Sequence, residues 1–402
     1  MKTIQMYGAD WCPDCQRAKA FLKENEILFT HIDVDKDPSA TAIVEKINNG
    51  KRIIPTLIID GQAYTNPDNG LLREVLEIEA EEDQTMYDSI IIGAGAAGLS
   101  TAIYAQRDGY STLMLEKKNI GGNAYLTDKI ENYPGFEEIS GPALMKRMSD
   151  QAIKLGTIIK QGTDVRGIFK QGNDFRVETN VGEFYAKSIV IATGSSYRKL
   201  GIPGEADLIG SGVHFCATCD GAFYKNQEVV VVGGGNSAVE EGMHLAGLAK
   251  KVTFINRGEQ FAATHTYLQQ LQSFDNITVW HHSEILAFEQ DQEGKFTGAR
   301  IRNKQTQEEN FISANGAFVF VGLVPNTGFV KKTIALDEQK FILTDEAQTT
   351  SVPGIFAAGD GRKGAIAQVA FAVGEGVAAS YSLRKYLKAK ALETSESNLV
   401  LA

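Results

Sequence analysis

Cysteine is scarce in this chain: 402 residues hold only 4, too few and too widely spaced for the disulfide framework of a secreted protein. No apolar run reaches the roughly 18 residues that a membrane span requires. No charged segment followed by an apolar stretch opens the chain either, so a cytoplasmic protein without a membrane partner is expected. Clustered positive charge is missing as well. Lys and Arg number 40 against 50 Asp and Glu, for a net charge of -10, and residues 1 to 86 alone hold nine basic and sixteen acidic side chains. That balance argues against nucleic acid or an anionic membrane as partner.

The cysteines that are present all fall in two Cys-x-x-Cys pairs, Cys12-Pro13-Asp14-Cys15 and Cys216-Ala217-Thr218-Cys219. Such spacing reads as redox or metal chemistry in a reducing compartment. About two hundred residues separate the pairs and each sits in its own redox context, so a zinc ion shared by four thiolates is disfavoured and no metal is expected. The length calls for two or three domains of about 100 to 200 residues, and the 40 glycines fit repeated close approach of backbone to phosphate.

Residues 3 to 7 read as a strand and Pro13 to Glu24 as a helix, which places Cys12 at a helix N-terminus. The positive end of the helix dipole favours thiolate there, making Cys12 the natural nucleophile. Strands over 29–34 and 56–60 and a helix over 39–47 follow in βαβ order. The acidic run over 77–85 reads as a linker, bounded at 81–86 between the domains, because like charges repel and carry little to bury, with a helix end as the competing reading.

Asp88 to Ile92 has the pattern of a buried strand and leads into Gly93-Ala94-Gly95-Ala96-Ala97-Gly98 and then a helix. This is G-x-G-x-x-G in its required context, where bare backbone lets a pyrophosphate approach a helix N-terminus. Glu116, at the end of the next strand, is suited to a ribose hydroxyl. A second unit repeats the pattern over Gln227 to Val232 and Gly233-Gly234-Gly235-Asn236-Ser237-Ala238. Two such units in one chain suit a fixed flavin and an exchangeable nicotinamide. Candidate contacts to the second nucleotide are Gly233, Gly235, Asn236, Ser237 and Ala238. The strand after them ends in Asn256-Arg257 rather than an acid, so Arg257 is the candidate partner of a 2'-phosphate. Asp360 follows the buried stretch Ile355 to Ala358 and Gly359, at the carboxyl end of a strand, where doubly wound sheets bind ligand. His214, two residues before Cys216, reads as a bystander.

These motifs carry two resemblances. Trp11-Cys12-Pro13-Asp14-Cys15, with Asn48-Asn49-Gly50, Ile54-Pro55-Thr56 and Thr65-Asn66-Pro67, is similar to the glutaredoxins, and closest to their mycoredoxin-like branch. That implies a thioredoxin-like domain over 1–80, with a cis proline beside the dithiol. The family's glycine pair after the last strand is not evident, which leaves open whether glutathione or another small thiol is used.

Residues 87 to about 390 resemble the low-molecular-weight thioredoxin reductases, because the first fingerprint, Cys-Ala-Thr-Cys-Asp, the second fingerprint and Gly359-Asp360 occur in that family's order. The glutathione-reductase class is opposed by the cysteine-free Gly121-Gly122-Asn123 and by the absence of His after His282. The expected architecture is α/β: a thioredoxin-like domain, then Rossmann-like FAD-binding (87–205 and 323–390) and NAD(P)-binding (206–322) domains, with a polar tail over 391–402. For FAD the resemblance adds Gly122, Asn132, Thr193, Gly194, Gln368 and Val369 to Gly93, Gly95, Ala96, Ala97, Gly98, Glu116, Gly359 and Asp360. It further implies a homodimer and a rotation of the nicotinamide domain, because dithiol and nicotinamide must take turns at one flavin. After the second fingerprint the family is rich in arginine, and here Asn256, Gly258 and Ala262 stand in such places. NADPH is the expected donor, with NADH and ferredoxin left open.

On this reading Cys219 is the flavin-proximal thiol and Cys216 attacks the partner disulfide, with Asp220 handling the proton. The partner is the chain's own Cys12-Cys15 pair, presented at high effective concentration. Cys12 then reduces a protein or small-molecule disulfide and Cys15 resolves the mixed intermediate. The alternatives are a flavoprotein that reduces a peroxiredoxin and a flavin-bound redox sensor without turnover.

Overall fold

A computed structural model describes residues 2–10, 12–50, 52–78, 81–127 and 130–400, so Trp11 of the first dithiol motif lies outside the described residues. Two units make up the chain. One comprises Met1–Gly122, Met145–Gly194 and Pro325–Ala402, and the other Asn123–Leu144 and Ser195–Val324.

In the first unit the N-terminal part is a four-stranded sheet of β1 (Ile4–Gly8), β2 (Thr30–Asp33), β3 (Thr56–Ile59) and β4 (Gln62–Thr65), in the order β2-β1-β3-β4. β1 and β2 run parallel while β3 and β4 join antiparallel. Helices α1 (Pro13–Glu24), α2 (Pro38–Ile47) and α3 (Asn69–Leu76) cover this sheet. Their apolar faces meet it in a core of Met6, Ala18, Phe21, Leu22, Val44, Leu57 and Leu72. The Ile54-Pro55 peptide is cis, as the glutaredoxin resemblance implies.

Residues 81–86, expected to be a linker, instead lie in strand β5 (Glu81–Tyr87), which pairs in parallel with Gly182–Ala186 at the edge of a four-stranded sheet. Charge repulsion does not prevent this. An edge strand needs its backbone paired, and its side chains can stay in water.

Strand β6 (Ser89–Ile92) lies in the middle of a five-stranded sheet, flanked by Ile189–Ile191 and β7 (Thr112–Glu116), with Ile355–Ala357 and Ile158–Gln161 at the edges. All its pairings resolved by register are parallel. A strand buried on both faces reads as an unbroken apolar run, and Ile90, Ile91 and Ile92 do. Helix α4 (Ala96–Arg107) packs on the C-terminal helix Val369–Val400. Their backbones approach closely enough that Ser100 and Thr101 donate to the carbonyls of Val373 and Gly376. A side chain at Gly376 would run into Ser100 and the Ala97 carbonyl. The stretch expected as a polar tail continues this helix to Val400, since no Gly or Pro interrupts residues 377–400.

The N-terminal part is seated on the part of the same unit built around β6 through a polar seam. Arg17, buried, donates to Asn69 Oδ1 at 2.8 Å and to the Pro67 carbonyl at 2.9 Å. Asn69 in turn donates to the Gln161 carbonyl at 2.9 Å. Gly162, at φ +69°, faces the Asn69 amide with no room for a Cβ. A second strand of contact joins Asp14, between the two cysteines, to Asn119 at 3.4 Å.

The second unit is built on a five-stranded sheet in the order Val213–His214, Gly316–Val319, Glu228–Val232, Lys251–Ile255, Ile277–Trp280, parallel throughout. A three-stranded antiparallel sheet over Ser283–Ser313 completes it. The architecture is thus the expected mixed α/β one with two parallel sheets.

Candidate active site

Cys12 caps helix α1, and its sulfur accepts the N–H of Cys15 at 3.1 Å. Both side chains are buried. Hydrogen bonding from the Cys15 thiol, and then from backbone N–H groups, pulls the Cys12 thiol down to about 7 from 9.0. The same bond, with burial, pushes the Cys15 thiol up. One sulfur is therefore poised as thiolate and the other kept as thiol, the asymmetry that disulfide exchange needs. Gly8 makes room for this pair: a Cβ there would stand 2.8 Å from Cys15 Sγ. Nothing in the motif spacing pointed to that glycine.

At the first glycine-rich turn each glycine has its own reason. Gly93 adopts φ +104° against the Ala192 carbonyl, and Gly98 abuts the Gly93 carbonyl, so neither has space for a side chain. Around Gly95 there is open space, as a surface meant for phosphate requires. Ala96 and Ala97 start the helix, so their N–H groups face that space. Glu116 ends β7 with its carboxylate accepting the N–H groups of Ala94 and Lys118, both at 2.7 Å, and burial pushes its carboxyl up. Gly122, at φ +58°, faces Gly95 Cα, with 3.5 Å to where its Cβ would stand.

Across the sheet, Gly194 (φ +60°) again borders open space, while Asn326 donates to the Thr193 carbonyl at 2.9 Å. Gly359 (φ +79°) approaches Ala97 and donates its N–H to Glu375 at 2.7 Å. Glu375 is buried and paired with Arg362. Gln368 and Val369 stand at the start of the C-terminal helix. Asn132 belongs to Asn123–Leu144 and so to the second unit.

These residues fit a flavin nucleotide. Two buried oxygens, Asp360 Oδ1 and Thr193 Oγ1, have no hydrogen-bond partner within the protein. Burial and then Glu375 raise the Asp360 carboxyl to about 6 from 3.8. A carboxylate placed this way needs an incoming hydroxyl.

In the second unit Cys216 is held in a disulfide, while the side chains of Thr218 and Cys219 lie outside the described ones. The single turn Ala217–Asp220 follows, closed by Asp220 N–H to the Cys216 carbonyl at 3.1 Å and anchored by Ala217 N–H to Glu241 at 2.8 Å. His214 is no bystander. Its Nδ1 lies 3.2 Å from Asp220 Oδ2 and its Nε2 2.7 Å from the Tyr224 hydroxyl, which burial pushes up to about 12. His214 and Tyr224 belong to no motif, and a spacing of six and ten residues without helical continuity hides their meeting.

The second glycine-rich turn repeats the first. Gly233 (φ +142°) abuts the Phe320 carbonyl and Ala238, and Gly235 borders open space at the start of helix Asn236–Ala246, with Asn236 and Ser237 exposed. Asn256, buried, turns its side chain over Gly234 and is occupied by Gly258 N–H at 3.2 Å and His281 Nδ1 at 3.1 Å. Its amide thus serves to close the loop. Arg257 is exposed. The turn, with open space at Gly235 before a helix N-terminus, fits a nucleotide. Among the described residues no three His, Cys, Asp or Glu gather as metal ligands.

Comparison with known proteins agrees with this geometry. Residues 87–376 match the pyridine nucleotide-disulphide oxidoreductase family and residues 4–64 the glutaredoxin family. The thioredoxin reductase of Bacillus subtilis (strain 168) is 38% identical over 310 residues, covering 76% of this chain and 96% of that protein. That of Treponema pallidum (strain Nichols) is 39% identical over 305 residues, 76% of this chain and 98% of the relative. Among solved structures, thioredoxin reductase from Streptococcus pyogenes MGAS5005 superposes with a TM-score of 0.72 at 37% identity, covering 76% of this chain and 100% of that one. The enzyme from Giardia duodenalis gives 0.71 at 32% identity, with 76% and 100% covered.

Proposed function

The chain belongs to the pyridine nucleotide-disulphide oxidoreductase family, as a thioredoxin reductase-like oxidoreductase with a glutaredoxin domain ahead of it, and on that premise we propose that it reduces disulfides through an internal relay. Electrons pass from the Cys216-Cys219 couple to the chain's own Cys12-Cys15 couple, and from there to a protein or small-molecule disulfide. The family binds FAD and NADPH, which when bound supply the reducing equivalents.

The chain's residues divide the remaining work. Glu116 would hold a ribose, and Asp360 with Thr193 the hydroxyl-bearing chain of the flavin, while Gly95, Ala96 and Ala97 receive the pyrophosphate. Gly235, Asn236, Ser237 and Arg257 would hold the second nucleotide. Asp220 gives a proton to the thiolate released when the Cys216 disulfide opens and takes it back when Cys216 attacks the next disulfide. Cys12, as thiolate, attacks the external disulfide and releases one substrate thiolate, which takes up a proton; Cys15, on giving up its own proton, then attacks Cys12 and releases the second substrate thiol.

The observation that carries this reading is the asymmetry at the first pair: a Cys12 thiol lowered to about 7 beside a Cys15 thiol raised. A pair serving only as a structural element has no use for such a difference. Cys12→Ser decides the matter. With NADPH as donor, this variant should still reduce a small aromatic disulfide directly from the Cys216 couple and should lose transfer to glutathione- or mycothiol-mixed disulfides. Undiminished transfer by Cys12→Ser would remove the relay. The oligomer is expected to be a homodimer, to be checked by sedimentation.

A further inference from the structure

The dithiol turn of the second unit has a buried polar neighbour that none of the sequence motifs contains. His214 ends the short strand Val213–His214, where it is 6% exposed. Its ring stacks on Phe318 at 5.2 Å and meets Tyr224 edge-on at 5.3 Å, so the imidazole plane is fixed by packing on two sides. Both ring nitrogens are engaged, with Asp220 Oδ2 at 3.2 Å and the Tyr224 hydroxyl at 2.7 Å. Tyr224 itself is seated tightly, because a side chain at Gly316 would strike its ring. The other titratable groups facing this turn are Glu241, which holds Ala217 N–H, and His244, beside Gly221, both on helix Asn236–Ala246. The strand on the opposite side contributes apolar Phe318.

Hydrogen-bond chemistry limits the directions these contacts can take. A carboxylate only accepts, so once Asp220 has given up its proton a hydrogen on His214 Nδ1, 3.2 Å away, is the one that can serve it. While Asp220 is protonated, its carbonyl oxygen can take the same hydrogen. With a hydrogen on Nδ1 alone, Nε2 accepts and the Tyr224 hydroxyl donates to it. The tyrosine therefore selects the tautomer and the histidine holds one carboxyl oxygen, leaving the other for proton exchange.

We propose that His214 is the positioning residue of Asp220: its Nδ1–H orients the carboxyl for proton exchange with the Cys216-Cys219 couple, and Tyr224 holds the imidazole in the tautomer that can donate. When two electrons enter and the S–S bond breaks, the leaving thiolate takes the proton of the Asp220 carboxyl. On reoxidation by the next disulfide the thiol returns that proton to the carboxylate. His214 keeps its own hydrogen throughout. The assignment rests on the reading that Asp220 handles the proton, and the test separates the two.

In a Cys12→Ser/Cys15→Ser holoenzyme, so that only the second couple reports, dithiothreitol opens the disulfide and alkylation followed by mass measurement gives the rate. Asparagine can place its amide where Nδ1 stands, and glutamine places its own where Nε2 stands. His214→Asn should therefore remain within about threefold of the parent, while His214→Gln and His214→Phe fall about tenfold and Asp220→Asn about a hundredfold, the range of a general acid and of its orientation. Combining His214→Gln with Asp220→Asn should add nothing to the latter. NADPH-driven turnover should follow the same order. Equal rates for His214→Asn and His214→Gln, or multiplied losses in the double variant, overturn the positioning role while leaving Asp220 in place. An unimpaired Asp220→Asn overturns the underlying reading and the proposal with it.

Discussion

Asp360 offers the sharpest quantitative check on the flavin site. Its Oδ1 is buried without a partner, and burial together with the Glu375 charge raises its carboxyl from 3.8 to about 6. The folded, flavin-free protein thus keeps this proton at pH values where the unfolded chain has released it. Stability must fall as pH rises through the window from about 4 to 6, and above it the full cost persists. The rise corresponds to about 3 kcal/mol, and partial access of water to the residue reduces it to about 2 kcal/mol. Asp360→Asn removes the charge and keeps the shape. At pH 8 the flavin-free variant should melt about 4 to 8 °C above flavin-free parent protein, as expected for a domain of this size. At pH 4 the two should coincide. Flavin affinity should move the opposite way, dropping about tenfold, since a charged acceptor binds a hydroxyl more strongly than an amide does. A variant that is less stable at pH 8, or a difference that does not change with pH, would refute this account of the orphaned oxygen.

Other perturbations probe the remaining parts. Alkylation of Cys12 by iodoacetamide should rise with a midpoint near pH 7, and in Cys15→Ala, which loses the leading hydrogen bond, the midpoint should move back toward 9.0; an unchanged midpoint would assign the shift to the helix dipole instead. Gly162→Val, at φ +69° against Asn69, should loosen the seam between the N-terminal part and the flavin-domain part, at a cost of about 1–3 kcal/mol, read as faster limited proteolysis of residues 1 to 87. Arg257→Ala should raise KM for NADPH about tenfold and leave KM for NADH nearly unchanged, the loss expected of one charge-assisted contact to phosphate; parallel changes for both nucleotides would place the 2'-phosphate elsewhere.

Glycine spacing proved easy to read because its cause is local. Gly93, Gly98 and Gly233 each stand where a backbone carbonyl leaves no room for Cβ, and Gly95 and Gly235 where open space must be kept. A strand, a turn and a helix dictate those needs within a dozen residues. The acidic stretch over 81–86 misled for the opposite reason. Its own composition favours a solvated segment, whereas its pairing partner, Gly182–Ala186, is a hundred residues away and sets the outcome. Charge patterning says what a segment does alone and nothing about a sheet edge waiting to be paired.

The amino-acid order alone determined the two Cys-x-x-Cys pairs, the two glycine-rich turns, the α/β class and the place of Cys12 at a helix N-terminus, since each depends on neighbours within one turn or one βαβ step. Tertiary structure decided which side chains serve them. It brought Tyr224 and Asp220 to the two sides of His214, left Asp360 Oδ1 without a partner beside Glu375, and folded Asn256 over Gly234. Hydrogen bonds and burial of this kind arise only where distant segments meet, and a one-dimensional pattern does not hold the distances that make them.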